Sequence, residues 1–352
     1  PLTIPVGGQL LGRVLDGLGR PADGKGPVDG ATHVSINASP PPALQRGRVH
    51  EQLPLGVRVL DTLVPAGRGQ RFGLFAGSGV GKSSLLSMIA RGTEADVVVL
   101  ALVGERGREV REFIEDDLGP EGLARSVVVV ATSDEPAMVR LRAASTATRI
   151  AEHYRDQGLD VVLMMDSVTR FAMAQREIGL SAGEPPATRG FPPSTFTLLP
   201  RLLERAGSGV TGSITGIYTV LVDGDDHDEP IADAVRSILD GHVVLDRRLA
   251  TSGHFPSVDV LGSVSRVANR VTGPEQRQRS TAVRRALAAR REMQDLIDVG
   301  AYAAGTNPLV DAAIRCASDI DEFLRQDVTT VAPIVESWQR LAVLADRLGG
   351  AG

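Results

Sequence analysis

The sequence predicts an α/β fold whose core is a mostly parallel β-sheet, followed by a small helical C-terminal domain. Between residues 71 and 276, apolar runs of strand length alternate with helical segments, which is typical of a doubly wound sheet. The runs lack polar alternation, so we expect both faces of each strand to be buried. After about residue 277 only helical patterns follow. The predicted units are a connecting segment (1–70), an α/β core (71–276) and a helical domain (277–352).

Each predicted element rests on a local pattern. The apolar runs of strand length are 71–75, 97–103, 126–131, 161–165 and 217–222. The helical segments that separate most of them are 82–91, 108–117, 137–157 and 169–178. Further helices are predicted at 312–325 and 333–347, and an apolar stripe is formed by Leu287, Met293, Leu296 and Ile297. Segment 7–70 is rich in Gly and Pro and carries Asp-Gly dipeptides, so we expect turns, short strands and extended linker there.

The composition narrows the class of protein. The chain has 352 residues, with 38 Lys and Arg against 43 Asp and Glu, so its net charge is −5. This balance disfavours a binder of nucleic-acid backbones, which is more often basic. The longest apolar runs fall far short of the about 18 residues that a membrane helix needs, and no signal-peptide pattern is visible. The single Cys316 excludes an internal disulfide and suits a reducing compartment. Because the first residue is Pro1, we expect the sequence to be a fragment of a longer protein.

The strongest motif is a glycine-rich phosphate loop. It follows the apolar run 71–75 and opens the helix predicted from Lys82, which is the context that a P-loop requires. The predicted nucleotide-binding residues are Ala76, Gly77, Ser78, Gly79, Val80, Gly81, Lys82, Ser83 and Ser84. Lys82 is one of only two lysines beside 36 arginines, and we expect it to contact the β- and γ-phosphates, with the Ser83 hydroxyl on Mg²⁺. The first motif position holds Ala76 in place of the usual Gly, which we treat as a tolerated variant.

Two carboxylates are expected to complete this site. Asp166 ends the apolar run 161–165 and fits a Walker B aspartate that holds Mg²⁺ directly or through water. Glu105 follows the run 97–103, and we assign it to orient the attacking water. Parallel strands bring their carboxyl ends to one edge of the sheet, so Lys82, Glu105 and Asp166 are expected to meet there. The alternative for Glu105 alone is a solvated turn residue.

Several separated blocks together resemble the family of hexameric ATPases related to the catalytic subunit of rotary ATP synthase. Within it, the sequence is most similar to the ATPases of type III protein export, flagellar or injectisome. The blocks are 12–19, 73–83, 104–113, 165–178, 183–191, 203–207, 223–239 and 254–267. The resemblance implies a RecA-like P-loop core and a C-terminal domain that engages substrates. It also implies that the family's N-terminal β-barrel domain is absent from this chain.

The resemblance carries roles onto particular residues. It implies that Glu105 is the catalytic carboxylate and that Arg266 is an arginine finger that reaches the neighbouring subunit's site. It also implies that Phe255 packs on adenine, and that Arg106 and Arg170 lie near the phosphate pocket. Without the resemblance, the sequence would favour the interpretation of Arg266 as a surface arginine and of Phe255 as a core residue.

The implied function is ATP hydrolysis with Mg²⁺ in a homohexameric ring that powers the export of flagellar or type III secretion proteins. The implied partners are further copies of the chain, export substrates and chaperones, stalk and stator-like regulatory proteins and, indirectly, the membrane export gate. The implied location is the cytoplasm, at the inner face of the cell membrane. The tripeptide 174–176 and the Pro-rich loop 183–194 favour the flagellar branch. A non-catalytic nucleotide-binding ring subunit stays an alternative. An RNA-translocating motor is disfavoured by the net charge of −5 and the aromatic content of 3%.

Overall fold

A computed structural model describes residues 2–222 and 229–349. In chain order its strands are β1 (Thr3–Val6), β2 (Arg13–Asp16), β3 (Thr32–Ser35), β4 (Arg71–Ala76), β5 (Val97–Val103), β6 (Ser126–Ala131), β7 (Asp160–Asp166), β8 (Gly207–Ser208), β9 (Ser213–Leu221), β10 (Gly241–Leu245) and β11 (Val258–Ser265). The first six positions of the sequence block 223–239 lie outside the described residues.

The helices surround and follow this set of strands. They are α1 (Arg58–Leu63), α2 (Lys82–Gly92), α3 (Gly107–Glu112), α4 (Gly119–Ala124), α5 (Ala137–Asp156), α6 (Val168–Ser181), α7 (Pro193–Leu203), α8 (Pro230–Ile238), α9 (Arg247–Thr251), α10 (Ala268–Val271), α11 (Pro274–Glu292), α12 (Gln294–Asp298), α13 (Pro308–Arg315), α14 (Ala317–Leu324) and α15 (Ile334–Gly349). A π-helical turn, Phe113–Leu118, joins α3 to α4. Among the described helices, none has both the length and the apolar character to cross a bilayer.

One large sheet organises the fold. Its strand order is β11-β10-β4-β9-β7-β5-β6-β2, and β8 pairs with β9 outside this path. All neighbours from β10 to β2 are parallel, whereas β11 runs antiparallel at the edge. The predicted mostly parallel sheet is therefore confirmed. Strands β1 and β3 form a separate antiparallel pair.

Both faces of the sheet are buried, as the unbroken apolar runs predicted. In β5, Val98, Leu100 and Leu102 join one core cluster, while the alternate residues join the other. The first cluster contains α2 together with apolar residues of α11, α13, α14 and α15. The second contains α5, α6, α7 and α8. The helix that follows the phosphate loop therefore shares a continuous core with the C-terminal helices.

Several element bounds differ from the expectation. Strand β9 begins at Ser213, four residues before the predicted run, because its first residues include small and polar ones that parallel pairing nevertheless buries. Strand β2 pairs with β6 at the edge of the sheet, so residues 13–16 of the Gly- and Pro-rich segment contribute to the core sheet. The predicted helix 108–117 is α3 followed by the π-helical turn.

Of the two predicted C-terminal helices, the one at 333–347 is confirmed as α15, whereas the other is divided. The helix expected at 312–325 is two helices, α13 and α14, which are separated at Cys316. Of the four residues in the predicted apolar stripe, Leu287, Met293, Leu296 and Ile297, Leu287 packs against the core, but the stripe is interrupted. Helix α11 ends at Glu292, so the stripe does not continue along one helix, and Leu296 is 46% exposed. The buried residues of α11 are Val283 and Ala286, and Val283 lies one turn before Leu287 on the same face.

Candidate active site

The phosphate loop lies between β4 and α2, as the sequence predicted. Ala76 ends β4, residues 77–81 form the loop, and α2 starts at Lys82. Gly79 and Gly81 have φ values of +73° and +91°, which residues other than glycine rarely adopt. A Cβ on Gly81 would also lie 3.1 Å from the Phe255 ring. The N–H groups of the loop and of the first turn of α2 form an anion-binding end of the kind that takes phosphates.

Lys82, Glu105 and Asp166 converge at one edge of the sheet. Lys82 Nζ lies 2.6 Å from Asp166 Oδ1 and 3.3 Å from Glu105 Oε1. The three side chains are only 13%, 14% and 7% exposed for Lys82, Glu105 and Asp166 respectively. The register explains the convergence, since Asp166 of β7 pairs with Leu102 of β5, three residues before Glu105. A single ammonium therefore balances two buried carboxylates.

The charges in this cluster shift one another's protonation. Burial alone would lower the pKa of Lys82, but the negative charges of Asp166 and Glu105 outweigh it and raise this pKa above its ordinary value. Burial raises the pKa of Glu105; the Lys82 charge opposes that effect, and the Asp166 charge adds to it. Lys82 is therefore held as a cation, while Glu105 has a higher proton affinity than an exposed glutamate.

Two residues of the site were missed by the sequence analysis. Thr219 of β9 is fully buried, and its Oγ1 donates to Asp166 Oδ1 at 2.7 Å. Glu109, in the first turn of α3, lines a cavity together with Glu105. Glu109 is only four residues after Glu105, but Glu105 precedes α3, so helical spacing does not relate the two residues and gave no signal. Thr219 could be found only from the strand register, because β7 and β9 are far apart in the sequence.

A cavity of about 260 Å³ adjoins this cluster. Its polar wall includes Ser83, Glu105, Glu109 and Asp166. Ser83 is exposed at the first turn of α2, and Ser84 follows it in the same helix. A hydroxyl and a carboxylate beside a phosphate loop match the oxygen ligands that Mg²⁺ takes together with phosphate oxygens. Ser83 and Asp166 thus line one cavity, and their role as Mg²⁺ ligands stays a prediction.

Phe255 lies beside the phosphate loop. Its ring packs against Gly81 and is 38% exposed, and two residues later Ser257 Oγ donates to Val80 O at 2.5 Å. At the tip of the loop, Arg247 Nη1 donates to Ser78 O at 3.1 Å. A partly exposed ring next to the loop could stack on a nucleotide base, which is the role that the family resemblance implied.

The three predicted arginines occupy different places. The stem of Arg170 packs over Gly104, next to Glu105, and its buried Nε has no hydrogen-bond partner among the described residues. Arg106 is exposed and pairs with Glu109 at 3.1 Å. Arg266 is exposed just after β11, and its N–H donates to Asp240 O at 3.0 Å.

The sheet topology separates Arg266 from the phosphate loop of its own chain. Strand β11 is antiparallel to β10, and Ser265 at its end pairs with Gly241 at the start of β10. Strands β10 and β4 are parallel, so the start of β10 lies at the edge opposite the phosphate loop. Arg266 therefore lies at the amino-terminal ends of β4 and β10, whereas Lys82 lies at the carboxyl-terminal end of β4. The fold of the chain does not bring Arg266 to its own phosphate loop.

Comparison with known proteins places the chain in a family. Residues 56–265, more than half of the chain, match the ATP synthase alpha/beta family, nucleotide-binding domain. Residues 272–343 match the T3SS EscN ATPase C-terminal domain. The chain belongs to the ATP synthase alpha/beta family, and the RecA-like core and helical C-terminal domain expected from the resemblance are confirmed.

Individual relatives show to which members of this family the chain is similar. The chain is 55% identical to the flagellum-specific ATP synthase of Bacillus subtilis, over 97% of this chain and 78% of the relative. It is 52% identical to the type 3 secretion system ATPase of Xanthomonas euvesicatoria, over 98% of this chain and 78% of the relative. The solved structure of the assembled ATPase EscN from the enteropathogenic E. coli type III secretion system has 47% identity and a TM-score of 0.93, over 98% of this chain and 84% of that one. The similarity to type III export ATPases inferred from the motifs is confirmed.

Proposed function

We propose that this chain is a Mg²⁺-dependent ATPase that works in a homohexameric ring and powers the export of flagellar or type III secretion proteins. The observation that carries the proposal is the contact of Lys82 with both Glu105 and Asp166 beside the phosphate loop. It is supported by membership of the ATP synthase alpha/beta family and by relatives named as flagellum-specific ATP synthases and type 3 secretion ATPases.

The residues divide the work of phosphoryl transfer. The loop N–H groups would bind the phosphates, and Lys82 would turn from the two carboxylates to the β- and γ-phosphate oxygens. Glu105, released from that ion pair, would accept a hydrogen bond from the attacking water and orient it. Ser83 and Asp166 would hold Mg²⁺, which when bound neutralises negative charge on the phosphate oxygens. Arg170, with its unpartnered Nε, is available to bind a phosphate oxygen, and Arg106 lies at the exposed rim.

Arg266 would act on a neighbouring chain. Its position at the opposite sheet edge from Lys82 prevents it from reaching its own phosphate loop. In a ring, the exposed guanidinium could instead face the site of the next subunit and stabilise the charge that develops on the phosphates. An arginine supplied in this way is worth about 10³-fold or more in rate. We therefore propose that the active site is completed only by assembly.

The remaining parts of the proposal concern partners and location. Another similar solved structure is that of the assembled ATPase EscN in complex with its central stalk EscO. We propose a comparable stalk partner for this chain. We also propose that the helical C-terminal domain engages export substrates and chaperones, that segment 183–194 lines the pore of the ring, and that the ring works in the cytoplasm at the inner membrane face. The flagellar branch is favoured by residues 174–176, although relatives of both branches are similarly close.

A non-catalytic ring subunit is the second candidate from the sequence. Such a subunit would bind nucleotide without an acid placed to orient water. Glu105, buried and within 3.3 Å of Lys82, argues for hydrolysis. The two functions differ in turnover but not in nucleotide binding.

The deciding experiment is the steady-state ATPase rate per chain measured against protein concentration, with Mg²⁺ present. If Arg266 acts on a neighbour, the specific activity rises as chains associate and then levels off. Nucleotide binding without turnover at every concentration, with rings verified by light scattering, would favour the non-catalytic subunit. Full specific activity in the monomer would contradict the proposed role of Arg266.

A further inference from the structure

The segment 253–257, which we call the base segment, connects the phosphate loop to the C-terminal helices. On one side it is fastened to the loop, since Ser257 Oγ donates to Val80 O at 2.5 Å and the Phe255 ring packs on Gly81. Any shift of this segment would therefore move the exposed aromatic ring relative to the site where phosphates would bind.

On its other side the base segment is held by the end of α14 and the residues that follow it. Arg325 Nη1 donates to Gly253 O at 3.1 Å, and Asp321 Oδ1 lies 2.9 Å from His254 Nδ1. The N–H of Gln326 donates to Phe255 O at 3.0 Å. Three consecutive residues, 253–255, thus each contact the C-terminal helical region.

Gln326 is the most firmly fixed of these contacts. The residue is only 7% exposed, and its Nε2 donates to Gly56 O and to Thr330 O, both at 2.9 Å. Its Oε1 accepts from Arg58 N at 2.9 Å. Both N–H groups and the carbonyl of the amide are thereby used. The side chain anchors Gln326 to the start of α1, and its backbone N–H fixes the carbonyl of Phe255.

We propose that Gln326 is a positioning residue for nucleotide binding: it holds Phe255 where the ring packs on the base, so that displacement of the C-terminal helices weakens nucleotide binding. The inference rests on the proposed ATPase function and deepens it. A cavity of about 550 Å³ lined by Phe255, Arg58, Gln326 and Asp327 lies beside the ring. Gln326 touches neither phosphates nor the reacting water in this arrangement, and it acts through Phe255.

The test compares two ligands that differ in the base. Dissociation constants for ATP and for inorganic tripolyphosphate are measured by calorimetry on the full chain, with the same Mg²⁺ concentration. For Gln326→Ala we expect about tenfold weaker ATP binding, because an aromatic–base contact is worth about that much or more. Tripolyphosphate has no base, so its affinity should stay unchanged. Gln339→Ala, an exposed glutamine of α15, is the matched control and should alter neither value.

Two further variants test whether Gln326 acts through the base segment and Phe255. Arg325→Ala removes the contact to Gly253 without disturbing the buried amide, and a smaller loss of ATP affinity alone is expected. In a Phe255→Ala background, Gln326→Ala should add nothing further, because the two residues act as a unit.

Three outcomes would overturn the positioning role. They are wild-type ATP affinity in both single variants, equal weakening for ATP and tripolyphosphate, and full additivity with Phe255→Ala. Each of them leaves the proposed ATPase function intact when the wild-type chain still turns over ATP. A wild-type chain that binds no ATP would instead refute the proposed function itself.

Discussion

The two sides of the candidate site are built in different ways. On the sheet side, Lys82 contacts both Glu105 and Asp166 within a single chain, and all three residues are at least half-buried. On the side of β11, Phe255 is 38% exposed and fastened by C-terminal residues, while Arg266 is exposed at the opposite sheet edge. The sheet side is therefore complete in one chain, whereas the β11 side is fastened by the C-terminal helical region and, in the proposed ring, would be completed by another copy.

This difference has a functional consequence. Groups held by parallel strands keep their geometry whatever the chain's neighbours do, so nucleotide binding should not require assembly. Under the proposals above, Phe255 and Arg266 would change their position relative to the nucleotide when the C-terminal helices or the subunits move. We therefore expect phosphate binding, which the sheet side provides, to be independent of assembly, whereas base binding and turnover depend on the β11 side.

The largest effect is expected for Arg266→Ala. We predict a loss of turnover of about 10³-fold or more, because transition-state charge on the phosphates loses its guanidinium. ATP affinity of the dilute chain should change little, since the side chain lies away from its own loop. Steady-state turnover and calorimetry measure the two quantities. Arg285→Ala, which removes an exposed arginine of α11, serves as the matched control.

Mixing variants gives a sharper form of this prediction. In rings assembled from Arg266→Ala and Glu105→Gln chains, some sites combine an intact Glu105 with an intact Arg266 from the neighbour. Partial recovery of turnover is expected although each variant alone is inactive. Mixed rings without any recovery would contradict the action of Arg266 on a neighbouring site.

Glu105→Gln should have the next largest effect. We predict a loss of turnover of about 10²- to 10⁴-fold, the range of general-base catalysis, because the amide cannot accept a proton from water. The phosphate loop and Lys82, which would bind the phosphates, are unchanged in this variant, so ATP binding should persist. Turnover and binding are measured on the same preparation, and Glu115→Gln, an exposed carboxylate paired with Arg111, is the control. Near-normal turnover would return Glu105 to a structural role.

The same contrast governs what the sequence could predict. The phosphate loop is local, with Ala76 to Ser83 contiguous between a strand and a helix, so its placement was predictable. Asp166 and Glu105 could be placed because each directly follows or ends an apolar strand. In each case a short-range pattern was enough.

Features that depend on strand pairing could not be predicted in this way. Thr219 reaches Asp166 only because β9 lies beside β7, and β2 joins β6 across more than 100 residues. Arg266 was assigned through family resemblance, since no local pattern distinguishes it among 36 arginines. The opposite-edge position of that residue follows from the antiparallel pairing of β11, which the sequence did not reveal.

An intermediate effect is expected for Thr219→Val. The hydroxyl donates to Asp166 Oδ1 at 2.7 Å in a fully buried position, and valine keeps the shape without the donor. A hydrogen bond to a charged group contributes about 1.5 kcal/mol or more, which corresponds to about tenfold in affinity. We therefore predict that about tenfold more Mg²⁺ is needed to strengthen ATP binding to the same degree. A Mg²⁺ titration of ATP affinity measures it. Thr219→Ser, which keeps the hydroxyl, should behave like the wild type, and an unchanged titration for valine would remove Thr219 from the site.

The smallest effect is expected for Ser257→Ala, and it separates the two attachments of the base segment. The lost bond from Ser257 Oγ to Val80 O is a neutral one worth about 1 kcal/mol, which corresponds to about fivefold in affinity. Because Val80 belongs to the phosphate loop, ATP and tripolyphosphate should weaken together, unlike the ATP-only loss predicted for Gln326→Ala. Ser252→Ala, whose hydroxyl bonds only to Leu249 O within α9 and its cap, controls for removal of a hydroxyl. If Ser257→Ala weakened the binding of ATP but not of tripolyphosphate, Ser257 would position the Phe255 ring and not the phosphate loop. Its hydrogen bond to Val80 would then belong to the β11 side of the site.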